Sequence, residues 1–204
     1  MIWTINEYNK WILKGMPINK KATTTIDLFY WIIKKAMFIN NEVTELDLFS
    51  NGLTTLPESI ENLTLLTILD LRRNKLTSLP KSIGNLTQLK ELYLGNNQLT
   101  TLPNCIINLT RLTYLNLRYN KLTTLPESIG NLTQLTWIDL RFNKLTTLPE
   151  SIENITQLTK LYLSNNQLTS LPESIVNLTQ LKELYLGNNQ LTILPNCIEN
   201  LTKL

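Results

Sequence analysis

The residues with most to offer another molecule stand in two matching stretches, TYLNLRYN at 113–120 and TWIDLRFN at 136–143. Between them they carry Tyr114, Arg118, Tyr119, Trp137, Asp139, Arg141 and Phe142. Trp, Tyr and Arg are the side chains that dominate binding energy at protein interfaces. Their chemistry is recognition: rings offer flat faces for stacking, and a guanidinium stacks on rings or grips a carboxylate with a planar fork. Bond-making chemistry has little to work with. The chain has no histidine, which removes the usual general base near neutral pH and the commonest metal ligand. A Ser-His-Asp triad, a Cys-His dyad and a His-containing zinc site are excluded. No Walker-type or GxGxxG loop is present, and no cofactor or catalytic residue is expected.

What must position these side chains is a repeat. From Val43 to Lys203 the chain divides into seven units of 23 residues, starting at Val43, Leu66, Leu89, Leu112, Leu135, Leu158 and Leu181. The shared pattern is LxxLxLxxNxLTxLPxxIxNLTx. Its positions 1, 4, 6, 11, 14, 18 and 21 hold only Leu, Ile or Val in all seven units. The alternation in LxxLxLxx is that of a strand, with positions 4 and 6 inward and positions 3, 5 and 7 outward. Asn at position 9 stands where the strand turns away; its amide can bond backbone groups left unpaired there and form a ladder between coils. Pro at position 15 suits the first position of a short helix or 3₁₀ turn. Glu58, Glu127, Glu150 and Glu173 follow it, favourably placed near a helix N-terminus. Each buried aliphatic side chain is worth about 1.5–3 kcal/mol before entropy, and chain ordering cancels most of that. A single unit cannot hide its apolar face, so only the stack is stable.

This pattern resembles the leucine-rich repeat signature LxxLxLxxNxL over about four-fifths of the chain. The LPxxIxNLTx half is similar to the intracellular class of these repeats, found in Ras-binding scaffold proteins, plant intracellular relatives and many bacterial proteins. The resemblance implies an α/β repeat solenoid: a curved horseshoe with a parallel β-sheet on the concave face and short helices or 3₁₀ turns on the convex side. It also implies a protein that binds other proteins.

A residue that recurs in every unit shows what the coil needs, so function belongs to what varies at the outward positions. Aromatics and arginines concentrate in the middle units. Tyr93 and Tyr162 extend the patch by one unit on each side, and Arg72 joins it from the second unit. Lys75, Lys121 and Lys144 line its rim at position 10, while Asp70 and Asp139 make it mixed in charge. The expected partner site is Arg72, Tyr93, Tyr114, Arg118, Tyr119, Trp137, Asp139, Arg141, Phe142 and Tyr162. A surface that merely stacks on itself is the alternative, at about 0.5–1 kcal/mol per exposed aromatic–Arg pair. A mixed surface fits an acidic and apolar protein better than a phosphate backbone, and a net charge of +3 with no Lys/Arg run beyond two residues does not suggest nucleic acid. Carbohydrate binding on the aromatic strip is a further reading. Asp70 and Asp139 lie three coils apart, about 14 Å at the strand spacing, too far for the carboxylate pair of glycoside hydrolysis at about 5–9.5 Å.

Two units are near copies. Leu89–Arg111 and Leu181–Lys203 differ only at Thr101/Ile193, Ile107/Glu199 and Arg111/Lys203. Other units satisfy the same pattern with different outward residues, so recent duplication is the simpler cause. Glu91 and Tyr93 are therefore not counted with Glu183 and Tyr185 as independent signs of function.

Residues 1–42 stand outside the repeat. Helical spacing over about 4–14 and 25–40 predicts a helical cap on the first coil, with a separate docking module as the alternative. The segment does not resemble a signal peptide, and the apolar stretch at 28–39 is broken by Lys34 and Lys35 and too short to cross a membrane. A cytoplasmic protein is expected. The last unit carries no polar cap, so its end is expected to be either frayed or paired with another molecule, such as in a homodimer through the C-terminal edge. Cys105 and Cys197 lie four coils apart, about 19 Å, so they are read as separate thiols. The Asn-Leu/Ile-Thr triplet of every unit matches a glycosylation acceptor, but it is locked to the repeat and is read as structural.

Overall fold

The computed structural model describes residues 2–3, 43–196 and 198–204. The helices expected over about 4–14 and 25–40, and Cys197, lie outside the described residues. Eight parallel strands follow chain order in one open sheet. They are β1 (Ile2–Trp3), β2 (Glu45–Asp47), β3 (Ile68–Asp70), β4 (Glu91–Tyr93), β5 (Tyr114–Asn116), β6 (Trp137–Asp139), β7 (Lys160–Tyr162) and β8 (Glu183–Tyr185). The register advances by one unit per strand, so Leu92 pairs with Leu115 and Tyr114 with Trp137. The family's parallel sheet is thus present, and β1 pairs with the outer side of β2.

Each strand from β2 to β8 is three residues long because the backbone changes hand soon after it. Position 8 is left-handed in all seven units, from Ser50 (φ 59°) through Tyr119 (φ 55°) and Phe142 (φ 57°) to Asn188 (φ 57°). Asn tolerates this conformation; Arg73, Tyr119 and Phe142 occupy it without that advantage. The position 9 Asn then closes the turn. Asn120 accepts from the Leu99 N–H through Oδ1 (3.0 Å) and donates through Nδ2 to the Leu94 (3.0 Å) and Leu117 (2.9 Å) carbonyls. Asn97, Asn143 and Asn166 repeat this pattern. The expected ladder between coils is therefore real.

The return path of each unit carries a 3₁₀ turn, for example Glu127–Asn131 and Glu150–Asn154. The proline sits one place earlier than the sequence suggested. Pro126 (φ −69°, ψ 148°) is still extended and acts as N-cap. Its carbonyl accepts from the Ile129 N–H at 3.0 Å. Glu58 caps the next coil as well, accepting from the Ser82 N–H at 3.0 Å, and Ser82, by its side chain first and its N–H second, holds the Glu58 carboxyl below the usual range.

All the repeat's apolar sites in the first six units are buried. In the seventh, only Leu181 and Leu201 are, while Leu184, Leu186, Leu191 and Ile198 are partly covered. Ile193 is 68% exposed. No helix among the described residues is long and apolar enough to cross a membrane.

Candidate functional site: an aromatic and arginine array on the sheet

The strands present positions 3 and 5 on the outward face, and the register aligns them coil by coil. Tyr93 lies at 4.8 Å from Tyr114, ring centre to ring centre. Tyr114 stacks on Trp137 at 4.0 Å with the planes 7° apart. Trp137 meets Tyr162 edge-on at 5.4 Å, and Tyr162 stacks on Tyr185 at 4.8 Å. Five rings thus form one continuous row from β4 to β8. A second row follows the strands, where Tyr119 stacks on Phe142 at 4.2 Å.

Arginines lie across both rows. Arg72 covers Tyr93 at 4.8 Å and Phe49 at 5.5 Å. Arg141 covers Tyr162 at 4.8 Å. Arg118 lies over Tyr119 at 4.7 Å and Phe142 at 5.2 Å. Two of them are anchored from below by a carboxylate two residues earlier. Asp139 is 1% exposed and accepts from Arg141 Nε (2.9 Å) and Nη2 (2.6 Å). Asp70 holds Arg72 in the same way. Each contact raises the guanidinium's pKa further. Asp139 therefore positions Arg141 and offers no free oxygen edge at the surface.

Further carboxylates fix the tyrosines. The Tyr93 hydroxyl donates to Glu91 at 2.6 Å, and the Tyr162 hydroxyl donates to Glu183. Burial, followed by the carboxylate, pushes both phenols above the usual tyrosine value; burial does the same to Tyr114. Lys160 pairs with Glu183 at 2.6 Å, so the Glu183 carboxyl is held low, by Lys160 first and Tyr162 second.

The ten residues expected at the site thus fall in and around two rows, with Asp139 beneath them and Tyr162 itself buried in the row. Sequence reasoning set aside Tyr185 because its unit is a near copy, yet its ring ends the row and is 49% exposed. Phe49, under Arg72, is a further member outside the expected set. Its signal was an aromatic at position 7 directly before the arginines of the next unit. Among the described residues no group of His, Cys, Asp and Glu could hold a metal. Cys105 is a free, half-buried thiol.

The model of the leucine-rich repeat region matches residues 45–119 and 104–204. The chain belongs to the leucine-rich repeat family. No curated protein gives a significant match. Among solved structures it is similar to a leucine-rich repeat protein of Leptospira interrogans, with 38% identity and a TM-score of 0.65 over 83% of this chain and 49% of that one. It is also similar to an internalin of Listeria monocytogenes, at 27% identity and TM-score 0.67 over 81% and 48% of the two chains. The plant peptide hormone receptor RGFR1, solved in complex with RGF2, aligns at 36% identity and TM-score 0.69 over 76% and 26%. The chain spans about half the length of the two bacterial proteins.

Proposed function

We propose that this protein is a non-enzymatic interaction module whose sheet face binds another protein across β3 to β7. The observation that carries this reading is the continuous array of aromatic rings and arginines, fixed in place by its own stacks and ion pairs. A face whose rings are already ordered loses little conformational freedom on binding. Its composition matches that of binding hot spots. Similar folds that engage peptides, such as RGFR1 with RGF2, support a protein partner. The self-stacking is real, and it leaves the Tyr119 ring 40% exposed within the array.

The test is capture of a partner from the native cell by the full chain and by Trp137→Ala/Arg141→Ala. The double variant is expected to lose the captured protein while melting as a folded chain. Undiminished capture by a folded double variant contradicts the proposal.

A second reading, self-association through the last coil, draws on the partly covered Leu184, Leu186 and Leu191 and on Ile193. Light scattering across a concentration series distinguishes it: a mass that doubles with concentration supports it, and a constant monomer removes it.

A further inference from the structure

Three arginines occupy position 7, and one differs from the other two. Arg72 and Arg141 each close on an aspartate two residues earlier. In the fourth unit that place is Asn116. Asn116 Oδ1 still accepts the Arg118 backbone N–H at 3.1 Å, as the aspartates do for Arg72 and Arg141, so the backbone is the same while the charge is missing. The Arg118 guanidinium donates from Nη2 to the Tyr119 hydroxyl at 3.3 Å. Its Nε is buried and has no acceptor among the described residues. A buried donor left unpaired costs free energy and marks a charge that no neighbour answers, while the side chain as a whole is half-buried and open to a ligand.

The neighbourhood does not supply that acceptor. Asp139 is committed to Arg141, and Glu91 accepts from Tyr93. Gly95 holds position 7 of the preceding coil and puts no side chain beside Arg118. Lys121, at the rim, donates to Gln98 at 3.1 Å and brings more positive charge. The stacked rings of Tyr119 and Phe142 hold the guanidinium in place, which suits the planar fork to a carboxylate.

We infer that Arg118 is a carboxylate receptor at the centre of the array, built to take the side chain of an aspartate or glutamate from the bound partner. This rests on the sheet-face reading and sharpens it: the partner presents an acidic residue flanked by groups that lie on the Tyr93–Tyr114–Trp137 row.

Acetate, which has nothing to place on the rings, isolates the charge recognition. Side-chain Nε–H resonances of the full chain are followed while sodium acetate replaces sodium chloride at constant ionic strength. The Arg118 signal is expected to move saturably, and those of Arg72 and Arg141, already closed by aspartates, to stay. Asn116→Asp gives Arg118 the internal partner that the other two possess, in a backbone setting the protein already uses twice. That variant should fold normally and lose the acetate response at least tenfold. An unresponsive Arg118, equal movement of all three arginines, or an undiminished response in folded Asn116→Asp overturns the inference. Those outcomes leave the sheet-face reading intact, because it depends on capture by the Trp137/Arg141 pair.

Discussion

At the scale of single residues, the polar groups of the array are satisfied by a neighbour, with Arg118 Nε the exception. Burying part of a tyrosine penalises its phenolate, and a carboxylate at its hydroxyl penalises it again. Tyr93 and Tyr162 carry both effects. Their folded values lie above the unfolded one of about 10, so the stability they contribute is complete below that pH. It is lost as pH rises from there through the folded values. The expected outcome of an alkaline titration followed by ring resonances is that Tyr93 and Tyr162 remain protonated where free tyrosine is half ionised. Glu91→Gln should bring Tyr93 down while leaving Tyr162 unchanged. Ionisation of Tyr93 at the free-tyrosine value would contradict this account. Which tyrosines meet a carboxylate was not visible in the sequence, because the partners lie across coils or depend on rotamers that packing selects.

The element is the strand with its turn, and here the position 9 asparagine decides. Asn120 satisfies the Leu99 N–H and the Leu94 and Leu117 carbonyls. Removing it strands the Leu99 N–H away from water, at about 1–3 kcal/mol, and takes one of two donors from each carbonyl, which Asn97 and Asn143 still reach. Asn120→Ala is therefore predicted to cost about 1–3 kcal/mol in urea unfolding. Asn51→Ala is predicted to cost less than half as much, since among the described residues Asn51 Nδ2 reaches only the exposed Phe49 carbonyl at 3.2 Å. Equal costs at the two sites would show that the ladder is not what holds the turns. The same element explains why the proline lies one place before the 3₁₀ turn. Its fixed φ suits both an extended and a helical residue, and only ψ separates them. Sequence reasoning could place the turn but could not choose between those two values.

Across the whole molecule, stability comes from coils covering one another. Leu117 and Leu186 occupy the same position of the repeat, yet Leu117 is fully buried and Leu186 only partly. Leu117→Ala should cost about 2–5 kcal/mol, whereas Leu186→Ala should cost no more than half of that. Similar losses from the two variants, measured by chemical unfolding, would mean that burial in the last coil equals that of the middle. The near-duplicate units make the same point about function. Tyr93 and Tyr185 have identical flanking sequences, but Tyr93 lies under Arg72 and against Tyr114, while Tyr185 lies against Tyr162 at the sheet's last strand. Copied residues acquire different contacts because their neighbouring coils differ.

The sequence by itself determined the repeat, its inward and outward positions, the asparagine ladder and the family. Each of these follows from a local period that every unit repeats, so one unit's pattern predicts all. Only the tertiary structure decided which outward groups are already spoken for. It placed Asp139 beneath Arg141, joined Tyr185 to the ring row, and left Arg118 without a carboxylate. Those outcomes depend on pairings between side chains of different coils and on which rotamers the stack allows, and no single period in the chain encodes them.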